Sequence, residues 1–482
     1  MILPIDFPFE EDLMKTFKCL IGLYVALMML FGSHTLTAAE EKKVDIKIPA
    51  GDSPFLLAGA AAENITPKPG VKLGGYGFRI QPSVGVRSEL FARVLYLQKG
   101  EQRVLWLVCD LLGFDRDDVE LIQNQLADSL GLAPSSIIVS ATHTHSAPAV
   151  QAIGPEKQTE YLRDLLLPKI LKAGQRAAAS AVPCRMITVE GKSKLAHDRR
   201  NDPRPGDGGA PNPDRNKACI DERVPAVAFQ KEDGSYQAIL IQYAMHPTSH
   251  GDLYMGSEWP GATAIAVKKT FGESVEPFVL QGGAGNLGSP KRKASPEEMQ
   301  AWGDELVAAV ADKIRKTPPL KNAVLEFGVE KIRVALATVD PDAVRKEAQE
   351  YRKVYASKDF VIDRVVNRWE SLQLERLKNG TADHLFAETA VVRLGDEIFI
   401  TTPFEMFCHM NGMVANCLKR HVHIIGYTNG VYNYFPTSDA VDQGGYEPKA
   451  YLWYLRFPCA KDALETYSRA AAELVRKTVK LQ

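Results

Sequence analysis

The sequence has no CxxC pair, no internal repeat and no run of basic residues long enough to form a stripe. Its seven cysteines are scattered, which excludes a zinc ribbon and a dithiol redox motif. Lys and Arg number 58 against 59 Asp and Glu, for a formal net charge of −1. That balance removes the electrostatic footprint of nucleic-acid binding, so no nucleic-acid partner is expected. A phosphate cradle is also missing: Gly282-Gly283-Ala284-Gly285 has neither GxGxxG spacing nor a following GK[ST] and reads equally as a tight turn. Histidine is scarce at ten residues, yet His143 and His145 stand two apart in SIIVSATHTHSAPAV.

The one long apolar stretch lies near the N-terminus. Lys15 and Lys18 precede an apolar run from Cys19 to Phe31, and Thr37-Ala38-Ala39 has the small residues of a cleavage site. Residues 1–39 therefore read as a secretory signal peptide, with Met14 as an alternative start and an uncleaved anchor as the alternative fate. The run is too short for a spanning helix with these flanks. A secreted or periplasmic location is expected. Six cysteines remain beyond this segment. Cys109, inside an apolar run, reads as a buried free thiol, and some of the others are free to pair in an exported protein. Residues 40–53 form a polar lead-in, and 54–482 read as one catalytic-sized unit whose 45% hydrophobic content supports a sizeable core.

Short apolar runs alternate with helical patterns, which predicts an α/β fold with mixed, largely buried β-sheets flanked by helices. Strands are expected at 103–109, 136–141, 238–244, 277–281, 390–401 and 421–427. Helices are expected at 116–130, 158–180, 260–272, 296–316, 341–358, 404–419 and 460–479, with Pro260 and Pro403 in first turns. Segment 198–221, rich in Pro, Gly, Asp and Arg, reads as a long loop of the kind used as a lid or binding element.

Chemistry-bearing residues follow the strands. SIIVSA leads to His143 and His145, AILIQYA to His246, PFVLQ to the glycine-rich turn, EIFIT to Glu405, and HVHIIGY to Asn429, Tyr432 and Tyr434. In open α/β sheets the site lies beyond the carboxyl ends of the strands. Two histidines, a carboxylate and a further oxygen make a sensible zinc set, which leaves a position open for water or substrate. Each residue also has a plainer reading. His143 fits a hydrogen-bonded core histidine, and His246 before Pro247 fits a turn. Thr402-Pro403-Phe404-Glu405 fits a capping box, and the tyrosines fit packing. His409, His421 and His423 read as structural.

The ordered motifs carry a resemblance. AAENITPKPG and LGGYG (within 60–77), RSELFARVLYL (87–97), LVCDLLG (107–113), SATHTHSAPA (140–149), AMHPTSH (244–250), QGGAGN (281–286), TTPFEMF (401–407) and NYFPTSDAVDQGGYE (433–447) resemble the neutral/alkaline non-lysosomal ceramidase family in its bacterial branch. The resemblance implies a zinc-dependent amidase acting on a small-molecule or lipid N-acyl substrate, with possible peripheral membrane contact. It implies His143, His246, Glu405 and Tyr434 as zinc ligands, His145 as a catalytic group beside the metal, Arg199 as a catalytic-site arginine facing a polar or anionic substrate group, and Tyr446 as a substrate contact. Zinc there would polarise the amide carbonyl and lower the pKa of water from 15.7 toward about 7. The chain departs from the family twice. Where the family has a serine in a GDVSP-type box, Gly288 and Ser289 stand, so Ser289 is a candidate substrate-binding residue. The family's C-terminal immunoglobulin-like domain has no counterpart. An esterase or deacylase, or an exported metal- or glycan-binding protein without turnover, remains as an alternative.

Overall fold

A computed structural model describes residues 53–151, 157–200, 219–380 and 383–480. The expected signal peptide, nearly all of the lead-in and the core of the 198–221 loop lie outside the described residues.

Eight strands form the main sheet: β1 (Leu56–Asn64), β2 (Phe91–Lys99), β3 (Gln102–Cys109), β4 (Ile137–Ala141), β5 (Val182–Lys192), β6 (Arg223–Lys231), β7 (Tyr236–Tyr243) and β8 (Glu276–Gln281). Their order is β8-β7-β6-β5-β1-β2-β3-β4. The outer pairs, β7 with β8 and β3 with β4, are parallel, and the inner pairs are antiparallel. The second sheet runs β9 (Leu325–Ala335), β10 (His384–Leu394), β11 (Glu397–Thr401) and β12 (His423–Ile425) in order. Its last pair is parallel. The strands read as continuous apolar runs because both of their faces are covered; in β2, Ala92 through Gln98 are all buried.

The layers are helix, sheet, sheet, helix. Helices α1 (Arg116–Leu130) and α2 (Leu167–Ala179) pack Ile122, Leu126 and Ile170 on the outer face of the main sheet near β2–β4. Helices α3 (Glu258–Phe271) and α4 (Pro296–Lys316) cover the same face near β6–β8 with Val267, Leu306 and Val310. Between the sheets, Leu95, Trp106, Ile138, Phe229 and Phe278 meet Val392, Phe399 and Ile425. Helices α5 (Pro341–Val354) and α6 (Asn367–Lys378) form a satellite layer around Trp369. Helices α7 (His409–Leu418) and α8 (Ala463–Thr478) close the far side of the second sheet.

One feature of the topology places the site. β4 and β8 are opposite edges of the main sheet, yet the end of β12 and the segment after it bridge both, through Gly282 with Ile425 and Ser140 with Thr428. The sheet therefore rolls around the second one, and the carboxyl ends of β4, β7, β8, β11 and β12 come together.

The strand expectations match these elements, and so does Cys109, a buried free thiol. The helix expected over 404–419 does not. Glu405–Met406 is instead a two-residue strand paired in parallel with Tyr434–Phe435, and the helix begins at His409. Pro403 is thus not a first-turn proline, and the capping-box reading of Glu405 is overturned. The helix expected to reach 358 ends at Val354. The pattern over 158–180 contains one π-turn, Leu162–Leu166, just before Pro168, whose missing N–H breaks the regular ladder. No described helix is long and apolar enough to cross a membrane.

Candidate metal centre and its cavity

His143 sits two residues beyond β4 with φ 64°. That left-handed conformation is costly for a residue with a Cβ and is held only where surrounding structure demands it. Its imidazole stacks on Tyr427 at 3.9 Å between centroids. Its Nδ1 lies 2.7 Å from the Leu112 carbonyl. A carbonyl only accepts, so Nδ1 carries the proton, and in the neutral ring Nε2 presents a lone pair. His246, three residues beyond β7, is fixed the same way by the Ala284 carbonyl at 3.0 Å. The two loops are joined where the His145 N–H donates to the Pro247 carbonyl at 3.3 Å. Arg79 donates to the His145 carbonyl at 2.6 Å. Gly75 (φ 98°) lies so close that a Cβ there would stand 2.5 Å from the His145 ring, so no other residue fits without moving the imidazole.

The three rings meet at Nε2. His143 and His246 are 3.0 Å apart and His143 and His145 3.2 Å apart at these atoms. Glu405 Oε2 lies 3.3 Å from His143 Nε2 and 3.4 Å from His246 Nε2. All four side chains are buried. Burial holds His145 and His246 well below the ordinary histidine pKa. The neighbouring His143, Arg79 and Arg199 charges add to this at His145, and Arg199 and the other two rings at His246. They are therefore neutral, the form that ligates metals.

The carboxylate is divided in its contacts. Oε1 accepts a hydrogen bond from the Tyr454 hydroxyl, whereas the buried Oε2 has no hydrogen-bond partner. Imidazole lone pairs facing one another beside an unpaired buried carboxylate oxygen are mutually repulsive, and a divalent cation among them removes the repulsion. The nitrogens and carboxylate oxygen suit zinc, and the carbonyls behind two of the rings are the usual orienting partners of ligating histidines. The residues fit the ion.

The parallel ladder sets Tyr434 directly across from Glu405. Its ring lies parallel to that of His246, with centroids 6.2 Å apart. Arg199 follows the short strand His197–Asp198, which pairs with Leu287–Gly288. Its guanidinium is buried, 5.9 Å from the Tyr434 ring centroid and 3.5 Å from Glu447. Burial works against this charge, but Tyr434 and Glu447 outweigh it and hold the arginine firmly protonated. Tyr446 packs its ring 5.6 Å from Tyr434 and is partly exposed. These groups share a cavity of about 460 Å³ whose lining includes His145, His246, Arg199, Glu405, Tyr434, Tyr446 and Tyr454. His143 lies behind that lining.

Ser289 is placed differently. It is buried, its Oγ is 3.4 Å from Ser249 Oγ, and it is not among the residues lining the cavity. Gly288 offers no substitute: a Cβ there would stand 2.5 Å from the His197 ring.

A second donor group among the described residues is Cys219, Cys408 and His409. The two cysteines are joined in a disulfide, which leaves no thiolate to bind a metal.

Sequence reasoning missed Tyr454, Tyr427, Glu258 and the Leu112 and Ala284 carbonyls. None lies in a local pattern that announces it, except that Tyr427 closes the strand run HVHIIGY.

No protein-family model matches the chain, and no curated protein matches it in sequence. Solved structures do match. The neutral ceramidase from Pseudomonas aeruginosa aligns with a TM-score of 0.63 at 15% identity, covering 88% of this chain and 74% of that one. A ceramidase structure described as complexed with C2 aligns with a TM-score of 0.62 at 14% identity, covering 88% and 75%. The chain has the ceramidase fold.

Proposed function

We propose that the protein is a zinc-dependent amidohydrolase that cleaves the acyl–nitrogen bond of an N-acyl compound, a lipid among the candidates. The observation that carries this reading is the convergence of three Nε2 atoms and one unpaired carboxylate oxygen at the base of a cavity. The ceramidase fold supports it.

His143, His246, Glu405 and Tyr434 would hold the ion. Zinc bound there supplies Lewis-acid polarisation of the acyl carbonyl and activation of a water. His145 lines the cavity, with its Nε2 3.2 Å from that of His143. It takes the proton released as water attacks and delivers it to the leaving amine. Arg199 holds the Tyr434 ring and presents a permanent positive charge to the substrate's polar group. Tyr446 contacts substrate at the cavity wall. The scheme uses no serine nucleophile, consistent with the position of Ser289. The N-terminal signal segment supports a secreted or periplasmic location.

The test is to strip the purified protein with a chelator, restore zinc, and assay amides and esters with wild type and His246→Ala. One zinc per chain is expected. The substitution should lower kcat/KM by more than about 100-fold, above the usual effect of losing an outer-shell partner. Stoichiometric zinc with no hydrolysis of any amide or ester would overturn the reading.

A further inference from the structure

His143, Tyr427 and Asn429 all hold left-handed conformations, with φ of 64°, 54° and 56°. Histidine and asparagine adopt this region more readily than most residues, but for a bulky tyrosine it is an outlier. Such positions persist only where the surroundings over-determine them. Here the hydrogen bonds supply the cause. The segment 427–429 runs along the edge of β4, the strand that delivers His143. The Ala141 N–H donates to the Tyr427 carbonyl at 3.1 Å, and the Asn429 N–H donates to the Val139 carbonyl at 2.7 Å. The Val139 N–H donates back to Asn429 Oδ1 at 2.8 Å. In the other direction, the Tyr427 N–H donates to the Phe404 carbonyl at 3.2 Å, one residue before Glu405. The backbone of Tyr427 is thus clamped between the segments that carry His143 and Glu405.

The side chain completes the clamp. Its ring lies on the His143 imidazole with centroids 3.9 Å apart and planes 23° apart. The same ring stands nearly perpendicular to that of His246, at 6.2 Å and 89°. The Leu112 carbonyl holds His143 through Nδ1, a bond that lies along the plane of the imidazole. One in-plane bond leaves the ring free to tilt about it, and a flat partner against the ring face removes that freedom. Tyr427 is buried in the apolar core formed with β2–β4 and α1, so the partner is itself held in place. Its hydroxyl is buried and has no hydrogen-bond partner. The ring face therefore makes the contact, and the hydroxyl takes no part in holding His143.

We propose that Tyr427 is a positioning residue of the metal centre, acting through His143: its ring face fixes the imidazole plane and keeps Nε2 aimed at His145, His246 and Glu405. This rests on the zinc-dependent amidohydrolase reading. Tyr427 is not among the described residues that line the cavity, so its role is separate from substrate binding.

The experiment compares Tyr427→Met, which fills much of the space without a flat face, with Tyr427→Phe, which keeps the face and loses the hydroxyl. Zinc affinity is measured by competition with a chromophoric chelator. The visible absorption bands of the cobalt-substituted protein report the ligand geometry. The methionine variant should bind zinc about 10–100-fold more weakly, the usual effect of losing an outer-shell partner, and its cobalt bands should shift. The phenylalanine variant should recover both. At saturating zinc, the methionine variant should lose kcat while KM holds. Circular dichroism and thermal melts check the fold, and Tyr427→Leu takes the place of a methionine variant that does not fold. Wild-type zinc affinity and cobalt bands in the folded aliphatic variant would overturn the inference. Equal weakening in the phenylalanine variant would also overturn it, by assigning the effect to the hydroxyl. A wild type that binds zinc but hydrolyses no amide or ester would overturn the amidohydrolase reading, while the affinity and cobalt measurements would still decide the role of Tyr427. A wild type that binds no zinc would overturn both.

Discussion

At the residue scale the centre turns on how Glu405 divides its two oxygens. Tyr454 donates to Oε1, which leaves Oε2 aimed at His143 and His246. Tyr454→Phe removes that donor and leaves a second buried carboxylate oxygen unpaired, at a cost of about 1–3 kcal/mol. The expected outcome is a zinc affinity about 10–100-fold weaker, measured by competition with a chromophoric chelator, with the fold retained. Unchanged affinity would mean that Tyr454 plays no part in orienting the carboxylate. Much of the donor set is legible in the sequence, because His143, His246, Glu405 and Tyr434 all follow strand-like runs. Glu405 had two local readings, however, and only the pairing with Tyr434 decides between cap and strand. Tyr454 was not legible at all, since it reaches Glu405 across 49 residues of chain.

At the scale of elements, the loops after β4 and β7 must be held together for their histidines to meet. Glu258, the first residue of α3, does this from behind. One oxygen accepts from the Ser249 N–H at 2.8 Å and the other from the Ser146 hydroxyl at 3.3 Å. Burial lifts its pKa from 4.5 to about 8, against the smaller lowering effect of those hydrogen bonds and of Arg79 and Arg87. The folded state therefore holds a proton that the unfolded chain has released between these values. Its contribution to stability is fully present below about 4.5 and is lost as pH rises through about 8. Glu258→Gln should flatten that decline, whose limiting slope for one group is about 1.4 kcal/mol per pH unit, in denaturant melts recorded from pH 5 to 9. An equally steep decline in the variant would assign it to another group. The strands were readable because burial on both faces writes a continuous apolar run. The clasp was not, because it depends on two loops and the start of α3 meeting in space.

For the whole molecule, the rolled main sheet brings opposite edges to either side of the end of β12 and the segment after it, so residues following β4, β7, β11 and β12 share one floor. The alternation of apolar runs and helices gave away an α/β class with buried sheets and a site at the strand ends. Neither the strand order nor the sheet-on-sheet layering follows from periodicity, because long-range pairing leaves no local mark. The ceramidase fold shared with the Pseudomonas aeruginosa enzyme places the whole assembly in a known architecture. Zinc at this floor is read out by the X-ray absorption spectrum of the metal-loaded protein at the zinc edge. The prediction is one zinc per chain with imidazole nitrogen and oxygen neighbours at about 2.0–2.2 Å. Sulfur neighbours at about 2.3 Å, placing the ion at Cys219 and Cys408, or a shell without imidazole, would contradict it.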